Sequence, residues 1–172
     1  MSHRFHTRQV VRWKDIDSWG VLNNAVYLTL LEQARYEYCR ELGILVDGQI
    51  RFVLAEVRVR FAAPGRMGTT LDVAARTTSL RGSSFTMVYV VRDGARLLAE
   101  AEAVLVWVDD DLRPAQIPDP VRAAIAAYEG IPARTESRAG RAAPTSRGGR
   151  GPTSARPRRS RAGRSRTRRA AR

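Results

Sequence analysis

Residues 15–38 read DIDSWGVLNNAVYLTLLEQARYEY, and the fold turns on what this stretch becomes. Its first part, through Asp15, Asp17, Ser18, Gly20 and Asn23, has the composition of a loop. From Asn24 to Leu42 the pattern changes. Tyr27, Leu30, Leu31, Ala34, Tyr38 and Leu42 recur at three- and four-residue spacing, the period of an α-helix. Asn23 or Asn24 supplies the N-cap, and Gly43 stands where a helix C′ residue belongs. The first half of the helix, AVYLTLL (25–31), is apolar nearly all round, which predicts burial on most sides. Glu32, Arg35, Glu37, Arg40 and Glu41 predict a wetter face for the second half. Asp17 falls just before the helix N-terminus, where backbone N–H groups lack partners and the dipole end is positive.

Strand patterns surround this stretch. Residues 5–13 (FHTRQVVRW) read as a strand. In 52–61 (FVLAEVRVRF) Val53, Ala55, Val57, Val59 and Phe61 alternate with Glu56, Arg58 and Arg60, a period of two. Pro64-Gly65 is a turn, and 69–79 alternates through Leu71, Val73 and Ala75. Arg81-Gly82 turns the chain into 84–92 (SFTMVYVVR), and Asp93-Gly94 marks a tight hairpin. Residues 96–108 have helix-favouring Ala and Glu at the start, but the hairpin and the VLVWV end favour a long strand. Val121–Tyr128 reads as a short helix. The order strand, buried helix, four antiparallel strands, short helix predicts an α+β fold: a curved antiparallel sheet wrapped around one long central helix. Free sheet edges predict a homodimer or homotetramer.

The loop and helix resemble the 4-hydroxybenzoyl-CoA thioesterase group of the hotdog-fold superfamily, with its D-x-D-x-x-G-H-V-N-N-x-x-Y pattern followed by L-E-x-A-R. Asp15, Asp17, Gly20, Asn23, Asn24, Tyr27, Leu31, Glu32, Ala34 and Arg35 match; Val21 stands where many members have His and other branches an aliphatic residue. The resemblance implies an acyl-CoA thioesterase, with the CoA thioester as substrate and no cofactor. It implies that Asp17 attacks the thioester carbonyl or activates water, that the Asn24 backbone N–H polarises the carbonyl oxygen, and that Gly20 lets the loop turn. A thiolate leaves readily, so a carboxylate and a helix N-terminal N–H suffice without a triad. Bland readings stand beside these. Asp17 is equally the kind of residue that caps a helix or pairs with Lys14 or Arg12. Asn23 and Asn24 suit loop fixing and capping, and Tyr27 suits the core as well as a substrate wall. Glu32 matches a carboxylate that some hotdog enzymes carry on the central helix, or it pairs with Arg35 or Tyr36. Asp15 reads as structural. In related thioesterases the turn matching Arg81-Gly82-Ser83-Ser84 lies near the CoA nucleotide, and Arg81, Ser83 and Ser84 suit phosphate oxygens. An ordinary polar hairpin is the alternative.

Charge divides the chain. The formal net charge is +13, but residues 131–172 hold 14 Arg against one acid, Glu136, while residues 1–130 hold 16 bases and 16 acids. The tail has no aromatic residue and one large aliphatic, Ile131, too little to offset ~1–2 kcal/mol per residue of backbone ordering. It is expected to be disordered, and residues 1–130 to form the folded domain. Such a tail either solubilises the chain or is functionally idle, or it recruits an acidic carrier protein, which would make the domain an acyl-carrier-protein thioesterase. A third reading is a non-catalytic acyl-binding or dimerising module tethered to nucleic acid or membrane. One cysteine, Cys39, excludes a disulfide framework, and His3 and His6 sit alone, so no metal site is expected. No run spans a bilayer and the N-terminus lacks a signal-peptide core, so a cytoplasmic protein is expected. No G-x-S-x-G elbow or P-loop occurs.

Overall fold

The computed structural model describes residues 3–133; the predicted disorder of the tail falls almost wholly on residues 134–172, outside them. The elements are β1 (Phe5–Val10), α1 (Asn24–Glu41), β2 (Phe52–Phe61), β3 (Thr70–Leu80), β4 (Ser84–Asp93), β5 (Arg96–Trp107) and α2 (Asp119–Glu129), with a 3₁₀ turn at Trp13–Asp15. The strands form one antiparallel sheet in the order β1-β3-β4-β5-β2. This is the expected α+β hotdog architecture. Alternation puts Leu71, Val73 and Ala75 of β3, Phe85, Met87, Tyr89 and Val91 of β4, and Ala101, Ala103 and Leu105 of β5 into one core. Tyr27, Leu30, Leu31, Ala34 and Tyr38 of α1 complete it. The alanines of β5 stay in a strand because Asp93-Gly94, with Gly94 at φ +57°, returns the chain onto β4. Sheet pairing overrides their helix propensity.

The ends of α1 follow the sequence. Asn23 is the N-cap, its side chain accepting from the Ala25 N–H at 2.9 Å. At the other end Gly43 has φ +66°, and two bonds close the helix: Ile44 N–H to Cys39 O at 3.0 Å and Gly43 N–H to Arg40 O at 3.1 Å. Beyond them, Tyr38 Oη donates to Glu129 of α2 and Tyr128 of α2 donates to Glu41, both at 2.8 Å. The Tyr38 ring meets Phe5 and Tyr128 edge-on.

Four expectations need correction. The first half of α1 is not buried on most sides: Ala25 and Thr29 are exposed and Leu28 is 41% exposed. β1 and β3 lie closest to the helix, and its Leu28 flank borders an open cavity with Phe52, Val53 and Leu54 of β2. Arg35 is not on a wet face but 5% exposed, facing the core beside Tyr89. The clean alternation of 52–61 does not bury one face either. Here β2 is an edge strand with a register shift at Ala55, and Val53, Leu54 and Phe61 are each more than 40% exposed. Periodicity reports the face meant for burial, and within one chain an edge strand lacks its cover. The first strand also stops at Val10 rather than at residue 13. Arg12 N–H and Nε donate to Asp15 Oδ2 at 2.8 and 3.0 Å, turning the chain into the 3₁₀ segment.

Candidate active site

The loop before α1 is a small closed structure. Ile16 and Leu22 bridge antiparallel, Asp17 N–H donates to Val21 O at 2.9 Å, and Gly20 N–H donates to Asp17 O at 3.0 Å. Gly20 sits at φ +73°, a left-handed conformation that glycine adopts without strain. Asn23 N–H donates to Asp15 O, joining the loop to the helix cap. Buried Asp15 is the structural member of the D-x-D pair. The Arg12 guanidinium, with the Arg12 N–H, holds its carboxyl below the usual carboxylate range, against the opposing effect of burial.

Asp17 is placed differently. Its Oδ1 accepts from the Trp19 and Val21 N–H groups at 2.9 and 3.3 Å, while Oδ2 has no hydrogen-bond partner among the described residues. It neither caps α1, which Asn23 does, nor pairs with Arg12, which is committed to Asp15. The carboxylate is half-buried, anchored by one oxygen and open at the other. The Asn24 N–H, the first of the helix, has no acceptor among the described residues. Asn24 and Tyr27 line a cavity of ≈ 270 Å³ with Val21, Phe61 and Pro64. Tyr27 is buried, its ring edge-on to Phe61 at 5.1 Å, and desolvation pushes its phenol up. Gly65 makes this junction possible. It accepts from Leu22 N–H at 3.0 Å, and a Cβ there would lie 3.0 Å from Leu22 Cβ. Phe61 and Pro64 were not legible as site residues, because only tertiary packing brings the β2–β3 connection to the helix.

Glu32 stands apart, exposed on α1 in a second cavity of ≈ 350 Å³ with Leu28, Thr29, Arg35, Phe52 and Leu54. It makes no ion pair with Arg35 and no hydrogen bond with Tyr36. The turn 81–84 is not brought to Asp17 within one chain. It follows the far end of β3, whose first residues adjoin the loop through Val11 and Thr69. Eleven residues of strand put the two ends on the order of 30 Å apart. The Arg81 and Gly82 carbonyls accept from Arg122 of α2, at 2.6 and 3.0 Å, and the Ser83 carbonyl accepts from Trp107 N–H. The Arg81 side chain is exposed, and those of Ser83 and Ser84 are half-buried.

The antiparallel sheet around α1 is that of a hotdog domain, with Asp17 in the loop before the helix and Asn24, at the helix start, lining a mostly apolar cavity. The chain belongs to the thioesterase-like superfamily, whose family model matches residues 11–125. It is 31% identical over 128 residues to the chloroplastic acyl-acyl carrier protein thioesterase ATL3 of Arabidopsis thaliana, covering 69% of this chain. The match spans 66% of that plant relative, just under two thirds of its length. It is 32% identical over 114 residues to the acyl-CoA thioester hydrolase YbgC of Escherichia coli, covering 63% of this chain and 85% of YbgC. A thioesterase from Thermus thermophilus, solved with coenzyme A and Zn, superposes with a TM-score of 0.69 at 35% identity, covering 76% of this chain and 98% of that one.

Proposed function

We propose that the protein hydrolyses acyl-CoA thioesters, R–CO–SCoA + H₂O giving R–COO⁻, CoA–SH and a proton. The observation that carries this is the pair at the start of α1: Asp17 with Oδ1 held by loop N–H groups, and Asn24 on the cavity that Tyr27 lines, with the Asp17 Oδ2 and the Asn24 N–H both without a hydrogen-bond partner among the described residues. Asp17 delivers oxygen to the carbonyl carbon, by attacking directly or by taking a proton from water. The Asn24 N–H receives the charge that builds on the carbonyl oxygen, aided by the helix dipole. Collapse of that intermediate expels the CoA thiolate, a leaving group that asks for no metal or cofactor; on the direct route it leaves an acyl–Asp17 anhydride, which water hydrolyses to the free acid and the Asp17 carboxylate. Gly20 and the Asn23 cap hold the loop. On this reading Tyr27 walls the acyl end, Glu32 borders the cavity further along α1, and Arg81, Ser83 and Ser84 of a second copy meet the CoA phosphates. That last role needs a homodimer or homotetramer, for which the partly exposed Leu28, Val53 and Leu54 and the edge strand β2 provide a surface. A cytoplasmic location is part of the same reading; the described residues include no helix long and apolar enough to cross a membrane.

The test is a panel of acyl-CoA thioesters assayed with the wild type and Asp17→Asn. Loss of at least about 10³-fold in kcat with an unchanged circular dichroism spectrum is expected. Residual activity within tenfold of wild type would sink the assignment. A second reading, an acyl-carrier-protein thioesterase, is favoured by the plant relatives and by the +13 of residues 131–172. It requires kcat/KM on acyl-carrier protein to exceed that on the matching acyl-CoA, and to fall steeply between low and physiological salt.

A further inference from the structure

Arg35 is the least explained group in the core. It is 5% exposed, and no carboxylate among the described residues lies within salt-bridge distance of it. One guanidinium nitrogen donates to Tyr89 Oη at 3.3 Å, and Nε is buried without a hydrogen-bond partner among the described residues. A guanidinium keeps its charge in proteins, and a buried charge left short of partners is costly. Arg35 also borders the ≈ 350 Å³ cavity between α1 and β2, whose other walls are mostly apolar. That cavity lies in line with the one at Asn24 and Tyr27. The Phe61 end of β2 meets Tyr27, and the Phe52 end lines the cavity at Arg35. The two cavities therefore mark one flank of the helix, from the candidate oxyanion donor to an unsatisfied cation.

We infer that Arg35 is a specificity-determining residue that receives a hydroxyl near the far end of an acyl chain lying along this flank. The inference rests on the thioesterase reading above. Arg35 lies eleven helical steps beyond Asn24, about 16 Å along the axis. A helical side chain leans back toward the N-terminus, which brings the guanidinium closer to the thioester. At roughly 1.25 Å per carbon, from tetrahedral C–C bonds of ~1.5 Å, the span suits a chain on the order of ten carbons. The choice of a hydroxyl over a carboxylate comes from Glu32, one turn back on the same cavity. A hydroxyl accepts from Arg35 and donates to Glu32, whereas a carboxylate has no hydrogen to give Glu32 and sets a like charge beside it. A site built to bond an oxygen discriminates against the analogue lacking it, because its own polar group is left unpaired.

The test compares decanoyl-CoA, 10-hydroxydecanoyl-CoA and 9-carboxynonanoyl-CoA on the full chain, wild type and Arg35→Met. In the wild type, kcat/KM is expected to favour the hydroxylated chain at least tenfold over the plain one, carried mainly by KM. In Arg35→Met that ratio is expected to fall toward one. Equal rates on all three in the wild type, a carboxylated chain preferred to the hydroxylated one, or a ratio that survives in Arg35→Met each overturn the inference. Calorimetric binding of decanoate and 10-hydroxydecanoate to the wild type decides independently of the variant's folding and of catalysis. Binding at least tenfold tighter for the hydroxy acid supports the site, and equal binding removes it. A protein that hydrolyses no thioester yet binds the hydroxy acid more tightly loses the proposed reaction and keeps the site. One that hydrolyses all three alike loses only the site.

Discussion

The two ends of α1 are held in opposite ways. At its C-terminal end side chains close the structure: Tyr38 on Glu129, Tyr128 on Glu41, and the Tyr38 ring between Phe5 and Tyr128. Glu129 also accepts from the Thr77 N–H at 2.8 Å, tying α2 to β3. At the N-terminal end the bonds are mostly backbone to backbone, the Asp17 Oδ2 and the Asn24 N–H have no hydrogen-bond partner among the described residues, and Trp13 and Trp19 are 82% and 88% exposed. One helix thus separates two tasks. The sealed end contributes stability, and the open end leaves polar groups for a ligand.

Variants at either end test that separation. Asp17→Asn has the largest expected effect. Asn retains an oxygen to accept from Trp19 and Val21, so the melting temperature stays within a degree or two while hydrolysis falls at least about 10³-fold. A melting temperature that drops with activity would mean the loop, not the chemistry, had been lost. Tyr38→Phe is the mirror case. It removes a donor from a buried carboxylate, so unfolding in urea should show a loss of about 2 kcal/mol with kcat unaltered. Gly65→Ala is expected to break the separation. Its methyl would press on Leu22 at the root of the loop, costing about 1–2 kcal/mol and lowering hydrolysis together. Hydrolysis unchanged in a destabilised Gly65→Ala would show that the β2–β3 connection does not set the site.

Much of this was legible in the sequence, for a physical reason that also marks the limit. The cap at Asn23, the stop at Gly43 and the hairpin at Asp93-Gly94 are local, so residue type and spacing specify them. The strand alternations located every strand to within a few residues. What escaped is what the rest of the molecule decides. The alternation of β2 gave no hint that it ends the sheet, because edge and centre strands share a period. Arg35 reads as a surface residue by its charge, yet helical phase puts it beside Leu31 and Tyr38, on the buried side. Of the candidate site, Asp17, Gly20 and Asn24 came from a contiguous motif. Phe61, Pro64 and the cavity at Arg35 are set by packing between distant segments.

Acid should loosen the open end first. Asp15 anchors the turn into the loop through Arg12, and the guanidinium with the Arg12 N–H holds its carboxyl below the ordinary value. In the unfolded chain that carboxyl returns to about 3.9. The unfolded state therefore binds the proton more readily, and the contribution of Asp15 to stability is present above about pH 4 and lost as pH falls through the lower native value. Asp15→Asn removes this titration while leaving an oxygen for the Arg12 N–H. Urea midpoints should therefore favour the wild type at about pH 6, and the gap should narrow at about pH 3. A gap that is constant between the two pH values would mean that Asp15 holds the loop by shape rather than by charge. The acid sensitivity of the open end would then have to come from another group.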